Sequence, residues 1–211
     1  MSISFPSEIA EKHRNYKEQI AALDCDLEET PKLIAFSGLA GSGKSTAAKY
    51  LVKKHGFIRV RFANTMKKMV AAMLEDAGHS AREILEAVDG DKKEIPFFAL
   101  GGRTPRYVLQ TLGTEWGRKL LGETIWVNIT KSKIERILSE GGKVVVDDVR
   151  FQNEADIIGE LGGETYRIIR TSNASVTEET HQSEMQWLDE ANAIVNDGDL
   201  NDLEEQLEDI I

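Results

Sequence analysis

The chain has 211 residues, a length for one domain with an appended segment, since single domains cluster at about 100–200 residues. With 41% hydrophobic and 29% charged residues it can close a core under a solvated surface, which excludes a disordered or fibrous chain. Its net charge of −10 is the wrong sign for a general binder of polynucleotide or anionic membrane, so no partner of either kind is expected.

In chain order, residues 7–23 have the pattern of an amphipathic helix with a Ser7 cap, separated from the rest of the chain by an acidic stretch and Pro31. This gives a helical extension over residues 1–30 and a main domain over 31–211. A short apolar run at 32–37 predicts a strand, and a helix over 45–54 with Gly56 as its stop comes after a glycine-rich loop. Strands are predicted at 57–62, 143–148, 164–169 and 193–195. Helices are predicted at 64–77, 105–121, 125–140, 154–161, 178–188 and 200–211, and residues 78–102 are mixed. Alternating strands and helices imply an α/β fold with a mostly parallel central sheet flanked by helices. The lone Cys25 excludes an intramolecular disulfide, no apolar run is long enough to span a bilayer, and the first residues lack the pattern of a signal peptide. The expected location is the cytoplasm.

Residues Gly38-Leu39-Ala40-Gly41-Ser42-Gly43-Lys44-Ser45 fit G-x-x-x-x-G-K-[ST] between a strand and a helix, the context that this phosphate-binding loop requires. The backbone must curl so that successive N–H groups face phosphate oxygens, and Gly38, Gly41 and Gly43 permit it. Ala40, Ser42 and Thr46 complete the expected nucleotide contacts. Lys44 is placed to reach the β- and γ-phosphates and Ser45 to hold Mg²⁺, with the helix N-terminus adding positive charge. The guanine-reading tetrapeptide N-K-x-D is absent, which disfavours a GTPase. The strand at 143–148 ends in Asp147-Asp148, on the side where open parallel sheets bind ligands, so one of the two can orient magnesium or position an acceptor.

Phosphoryl transfer to a phosphate monoester brings two anionic groups together, so fixed cations are needed more than a base. Arginine suits this through its planar fork and permanent charge. Arg103, Arg106, Arg118, Arg150 and Arg170 are the candidates, with Gln110 on the side of Arg106 and Gly113 allowing a ligand close to the backbone. Glu154 can hold Arg150 or accept from a base or sugar, and Trp116 and Trp126 are candidates for stacking, although tryptophan at helical spacing is more often core. A polar stretch after Arg170, running to His181-Gln182-Ser183-Glu184, suits a lid over 170–186. Asn196-Asp197-Gly198 can wrap an adenine through its backbone.

The loop, Gly102-Arg103-Thr104-Pro105-Arg106 with Leu109-Gln110-Thr111-Leu112-Gly113-Thr114-Glu115 and Arg118, Asp148-x-Arg150-Phe151-x-Asn153-Glu154, His181-x-Ser183-Glu184 and Asn196-Asp197-Gly198 together resemble the deoxynucleoside monophosphate kinases of tailed bacteriophages, over about residues 32–211. The resemblance implies a P-loop NTPase fold with NMP-binding and lid segments, the acceptor segment falling at about 63–122. It also implies ATP- and Mg²⁺-dependent transfer of the γ-phosphate to a deoxynucleoside monophosphate, in host cytoplasm if the chain is phage-encoded. The resulting expectation is a catalytic set of Lys44, Asp148, Arg150 and Arg170, a donor site of the loop with Thr46, Asn196 and Gly198, and magnesium on Ser45 and Asp147. The acceptor side comprises Arg103, Arg106, Gln110, Gly113, Thr114, Arg118, Asp148, Arg150 and Glu154. The N-terminal residues fall outside the family core and leave a homodimer open. A related small-molecule kinase, such as one for dephospho-coenzyme A, and a non-catalytic nucleotide sensor are the alternatives.

Overall fold

Leu33–Ser37 forms β1, all five residues buried, because this strand lies at the centre of the sheet with helices on both faces. The computed structural model describes residues 31–171 and 192–211. The expected N-terminal helix, most of the expected lid and the helix at 178–188 lie outside the described residues.

After β1 come α1 (Lys44–His55), β2 (Ile58–Val60), α2 (Asn64–Asp76) and α3 (Ala81–Val88). The segment left mixed by its sequence, 78–102, contains α3 and two short 3₁₀ turns, Asp91–Glu94 and Phe98–Leu100. Then come α4 (Pro105–Gln110), α5 (Ile125–Ser139), β3 (Val144–Val146), α6 (Gln152–Glu160), β4 (Glu164–Ile169), β5 (Asn192–Val195) and α7 (Leu200–Glu208). The helix expected over 105–121 is not uniform. It runs as α4 to Gln110 and then continues in π register over Thr111–Leu121.

The strand order is β2-β3-β1-β4-β5, and every pairing is parallel. Alternation along β1 divides the core. Leu33 and Ala35 pack with Val127, Ile134 and Ile157 under α5 and α6, whereas Ile34 and Phe36 pack with Ala47, Leu51, Leu203 and Leu207 under α1 and α7. A third cluster, centred on Val70, Leu74, Ala87 and Val88, joins α2 and α3 to α4 through Val108 and Leu109. Among the described residues no helix is long and apolar enough to cross a membrane.

This topology decides where the chemistry lies. All strands point the same way, so the loop after β1, Arg61 after β2, Asp147 and Asp148 after β3, Arg170 after β4 and Asn196 after β5 emerge at one edge.

Candidate active site

The phosphate loop depends on two close approaches. Gly38 has φ 132° and Gly43 φ 112°, in the region that side chains avoid. A Cβ on Gly38 would lie 2.3 Å from the Ile168 carbonyl oxygen, and one on Gly43 would lie 2.3 Å from Asn196 Nδ2. Asn196 is buried, and its Nδ2 donates to the Ser42 carbonyl at 2.8 Å. Sequence reasoning gave Asn196 an adenine contact through its backbone; the structure adds that its side chain ties β5 to the loop. Lys44 Nζ donates to the carbonyls of Gly38 and Leu39, at 2.7 and 2.6 Å, and so is held over the loop's mouth.

A cleft of about 480 Å³ opens beside the loop, lined by Gly41, Lys44, Thr46, Arg170, Gly198 and Leu200 among others. That volume falls within the usual range for small-ligand sites. Its lining brings together most of the expected donor residues with Arg170, which lie apart in the chain, while Gly38, Ala40 and Ser42 do not line it.

On the other side of the loop, Asp147 is almost fully buried. It accepts from Ser45 Oγ at 2.9 Å, from Arg59 Nε at 2.9 Å and from Arg61 Nε at 2.8 Å. Burial pushes its carboxyl up, but the hydrogen bonds and charges of Arg59 and Arg61 outweigh that and hold it at about 2. Asp148 faces elsewhere and accepts from the backbone N–H groups of Phe62 and Ala63, both at 3.0 Å. It fixes the entry to α2, and burial raises its pKa.

Sequence reasoning missed Arg59 and Arg61, together with Lys67 and Lys93. The available signal was the alternation Ile58-Arg59-Val60-Arg61, which puts two arginines on one face of a strand. Arg61 Nη1 donates to Asp89 at 3.4 Å, and Lys67 is also paired with Asp89. Burial lowers the pKa of Lys93, and the neighbouring charges of Lys67, Arg106 and Arg61 lower it further, with only Asp89 opposing. Arg106 joins this cluster while bound to Glu94.

The remaining expected acceptor residues take different places. Arg118 is a clamp: Nη2 donates to Glu154 Oε1 at 2.6 Å, Nη1 to the Glu123 carbonyl at 3.2 Å, and the guanidinium lies 3.7 Å from the Phe151 ring centre. Glu154 does not offer an open carboxylate to a base or sugar. Its Oε2 accepts from the N–H groups of Arg150 and Phe151, at 2.9 and 3.3 Å, so it shapes the turn that carries Arg150. Burial pushes the Glu154 carboxyl up to about 7, the N–H of Arg150 opposing and the Asp148 charge adding. Arg150 itself is exposed at the sheet edge.

Gly113 packs beside Met66 and Trp126. Its carbonyl accepts from Trp126 Nε1 at 2.9 Å, and a Cβ there would lie 3.1 Å from Met66 Sδ. Trp126 is core, as tryptophan at this spacing usually is, and Trp116 is partly exposed 6.1 Å from it between ring centres. Gln110 and Thr114 are half-buried where the helix passes from α to π register. Arg103 stacks at 4.9 Å on Tyr107. His181, Ser183 and Glu184 lie outside the described residues.

A glycine-rich loop between a central parallel strand and a helix, with a buried aspartate from the neighbouring strand against its serine, defines a P-loop nucleotide-binding protein. Comparison with known proteins narrows this class. The family profile of deoxynucleotide monophosphate kinases matches residues 103–207. A protein of Acanthamoeba polyphaga mimivirus, provisionally named a deoxynucleotide monophosphate kinase, is 37% identical over 168 residues, covering 73% of this chain and 81% of its own. The deoxynucleoside-5'-monophosphate kinase of Escherichia phage T5 is 40% identical over 57 residues, 27% of this chain and 22% of that one. Among solved structures, a dephospho-CoA kinase from Campylobacter jejuni aligns over 85% of this chain and 94% of its own, with 16% identity and a TM-score of 0.38. The chain belongs to the deoxynucleotide monophosphate kinase family and is a kinase.

Proposed function

We propose that the protein transfers the γ-phosphate of ATP to a deoxynucleoside monophosphate, giving ADP and the deoxynucleoside diphosphate. The observation that carries this reading is the basic cluster of Arg61, Lys67, Lys93 and Arg106, joined to the phosphate loop through Asp147. Arg61 and Lys67 paired with Asp89, Lys93 beside them and Arg106 held by Glu94 form, in a chain of net charge −10, a receptor for a small dianion. The loop, Lys44 and the adjoining cleft take the donor.

In this arrangement an oxygen of the acceptor phosphate attacks the γ-phosphorus while the bond from that phosphorus to the β,γ-bridging oxygen breaks, and ADP leaves with that oxygen. The acceptor oxygen is already ionised, so no general base is required. Arg61, Lys67 and Lys93 offset the repulsion between the two anions, and Lys44 follows the charge on the transferring group. Arg150, on the turn set by Glu154, and Arg170, in the donor cleft, are placed to add positive charge from two further strands. Ser45 Oγ and Asp147 are hard oxygen donors beside the loop, a set that suits Mg²⁺ completed by phosphate oxygens and water. The chemistry that magnesium supplies when bound is charge neutralisation on the β- and γ-phosphates.

The reading extends to the unit 31–211 as the kinase domain, with residues 63–122 as its acceptor segment. The test is ADP release from Mg·ATP with individual monophosphates. Turnover that depends on a deoxynucleoside monophosphate supports the reading. Slow hydrolysis that no such acceptor accelerates contradicts it.

A further inference from the structure

Arg59 has no role in the donor and acceptor assignment above, yet its guanidinium touches the loop serine directly. Nη2 donates to Ser45 Oγ at 2.9 Å, Nε donates to Asp147 Oδ1 at 2.9 Å, and Nη2 also bonds Asp147 Oδ2. Ser45 Oγ in turn donates to Asp147 Oδ2 at 2.9 Å. Hydroxyl, carboxylate and guanidinium therefore close a ring. Arg61 differs: it bonds Asp147 and Asp89 but makes no bond to Ser45.

The geometry points to Arg59 as the resident cation of the magnesium position. In the nucleotide-free protein its fork neutralises Asp147 and holds Ser45 in line with it. Ser45 and Asp147 would hold Mg²⁺ through these oxygens, and Arg59 would then leave them while Arg61 keeps its hold on Asp147. This inference rests on the reading of Ser45 and Asp147 as the pair that holds magnesium.

Three observations support it. The guanidinium is directed at the same two hard oxygens that an oxygen-seeking divalent cation would use. A divalent cation on those oxygens would stand beside a like charge in a part-buried site, where salt screens repulsion weakly. The guanidinium also has somewhere to go, because β2 is an edge strand and the Arg59 side chain keeps 22% of its surface exposed. The consequence is that free metal binds the empty protein poorly and is taken up together with the nucleotide.

The experiment is titration of the nucleotide-free full chain with Mn²⁺, monitored by electron paramagnetic resonance, for the wild type, Arg59→Gln and Arg61→Gln. The Arg59→Gln protein is expected to bind Mn²⁺ about tenfold more tightly than the wild type, and Arg61→Gln to gain about threefold or less. Equal gains in both variants would reduce the effect to general electrostatics and overturn the inference, as would no gain in Arg59→Gln. If Arg59→Gln does not fold, Arg59→Lys, which keeps the charge but loses the fork, is expected to show a smaller gain in the same direction, and no gain there overturns the inference. A parallel titration with Mn·ADP compares the wild type with Ser45→Ala. Weakening by about tenfold in Ser45→Ala supports the metal pair. Unchanged binding there overturns the pair itself, a failure distinct from that of the exchange.

Discussion

In the proposed mechanism Lys44 and the basic cluster divide the work between donor and acceptor, and single substitutions separate the two. Lys44→Ala is expected to lower kcat about a hundredfold or more with every acceptor, read as ADP release, because the developing charge on the γ-phosphate loses its nearest fixed cation. Lys67→Ala and Lys93→Ala are expected to raise the acceptor KM about tenfold each, with ATP binding by calorimetry unchanged. Weakened ATP binding in either variant, with the fold intact, would contradict the division. Asp147 carries a separate pH signature. Its pKa is held at about 2 against an ordinary 3.8, so the stability it contributes is complete above about pH 3.8 and is lost as the pH falls toward 2. Urea unfolding across this window is expected to lose about 2 kcal/mol through this group, and Asp147→Asn to remove that part of the slope. The loop lysine, its serine and Asp147 were legible as local motifs. Arg59 and Arg61 were not, because in a lone sequence two arginines alternating in a strand describe a solvated face. Only the parallel register, with Val60 against Val146, brings them beside Asp147.

Among the elements, β1, β4, β5 and α1 match their sequence signals closely, since a buried run ending at a glycine loop and a helix stopped by Gly56 are local facts, whereas β2 and β3 keep only three of the six residues expected of each. The passage from α to π register at Thr111 is not local. Hydrogen bonds to i+5 and i+4 use the same residue types, and the switch accompanies tertiary packing against Trp126. Gly117 shows the constraint, because a Cβ there would lie 2.4–2.5 Å from the Trp126 indole. Alanine's better helix propensity, about 1 kcal/mol, is therefore expected to lose to the clash. Gly117→Ala should destabilise the protein by about 1–3 kcal/mol in urea unfolding, and a gain in stability would show that the indole has room to move. Glu154 teaches the same lesson about sites. The D-x-R-F-x-N-E segment singled out this glutamate, but only the fold shows that it is consumed by Arg118 and by the backbone of Arg150.

At the scale of the whole molecule, a single parallel sheet gathers residues from five strand ends onto one edge and covers its other surfaces with helices. In the proposed function, a chain of net charge −10 receives two phosphate groups because Lys44, Arg61, Arg150 and Arg170 all follow strands that end at this edge. It also makes Gly43 and Asn196 a structural hinge-point between the loop and β5. Gly43→Ala is expected to abolish ATP binding while leaving most of the fold, because its φ and the Asn196 amide both exclude a side chain. Retained ATP binding in that variant would show that the loop tolerates a different path.

The central claim is acceptor-dependent phosphoryl transfer, and the most direct measurement is ADP release from Mg·ATP with dAMP, dGMP, dCMP, dTMP, 5-hydroxymethyl-dCMP and the matching ribonucleotides, using Lys44→Ala as the blank. Turnover is expected to rise saturably with at least one deoxynucleoside monophosphate and to be lost in the blank. A slow basal hydrolysis that none of these acceptors changes would contradict it and direct the search to dephospho-coenzyme A and to nucleotide-dependent partner binding.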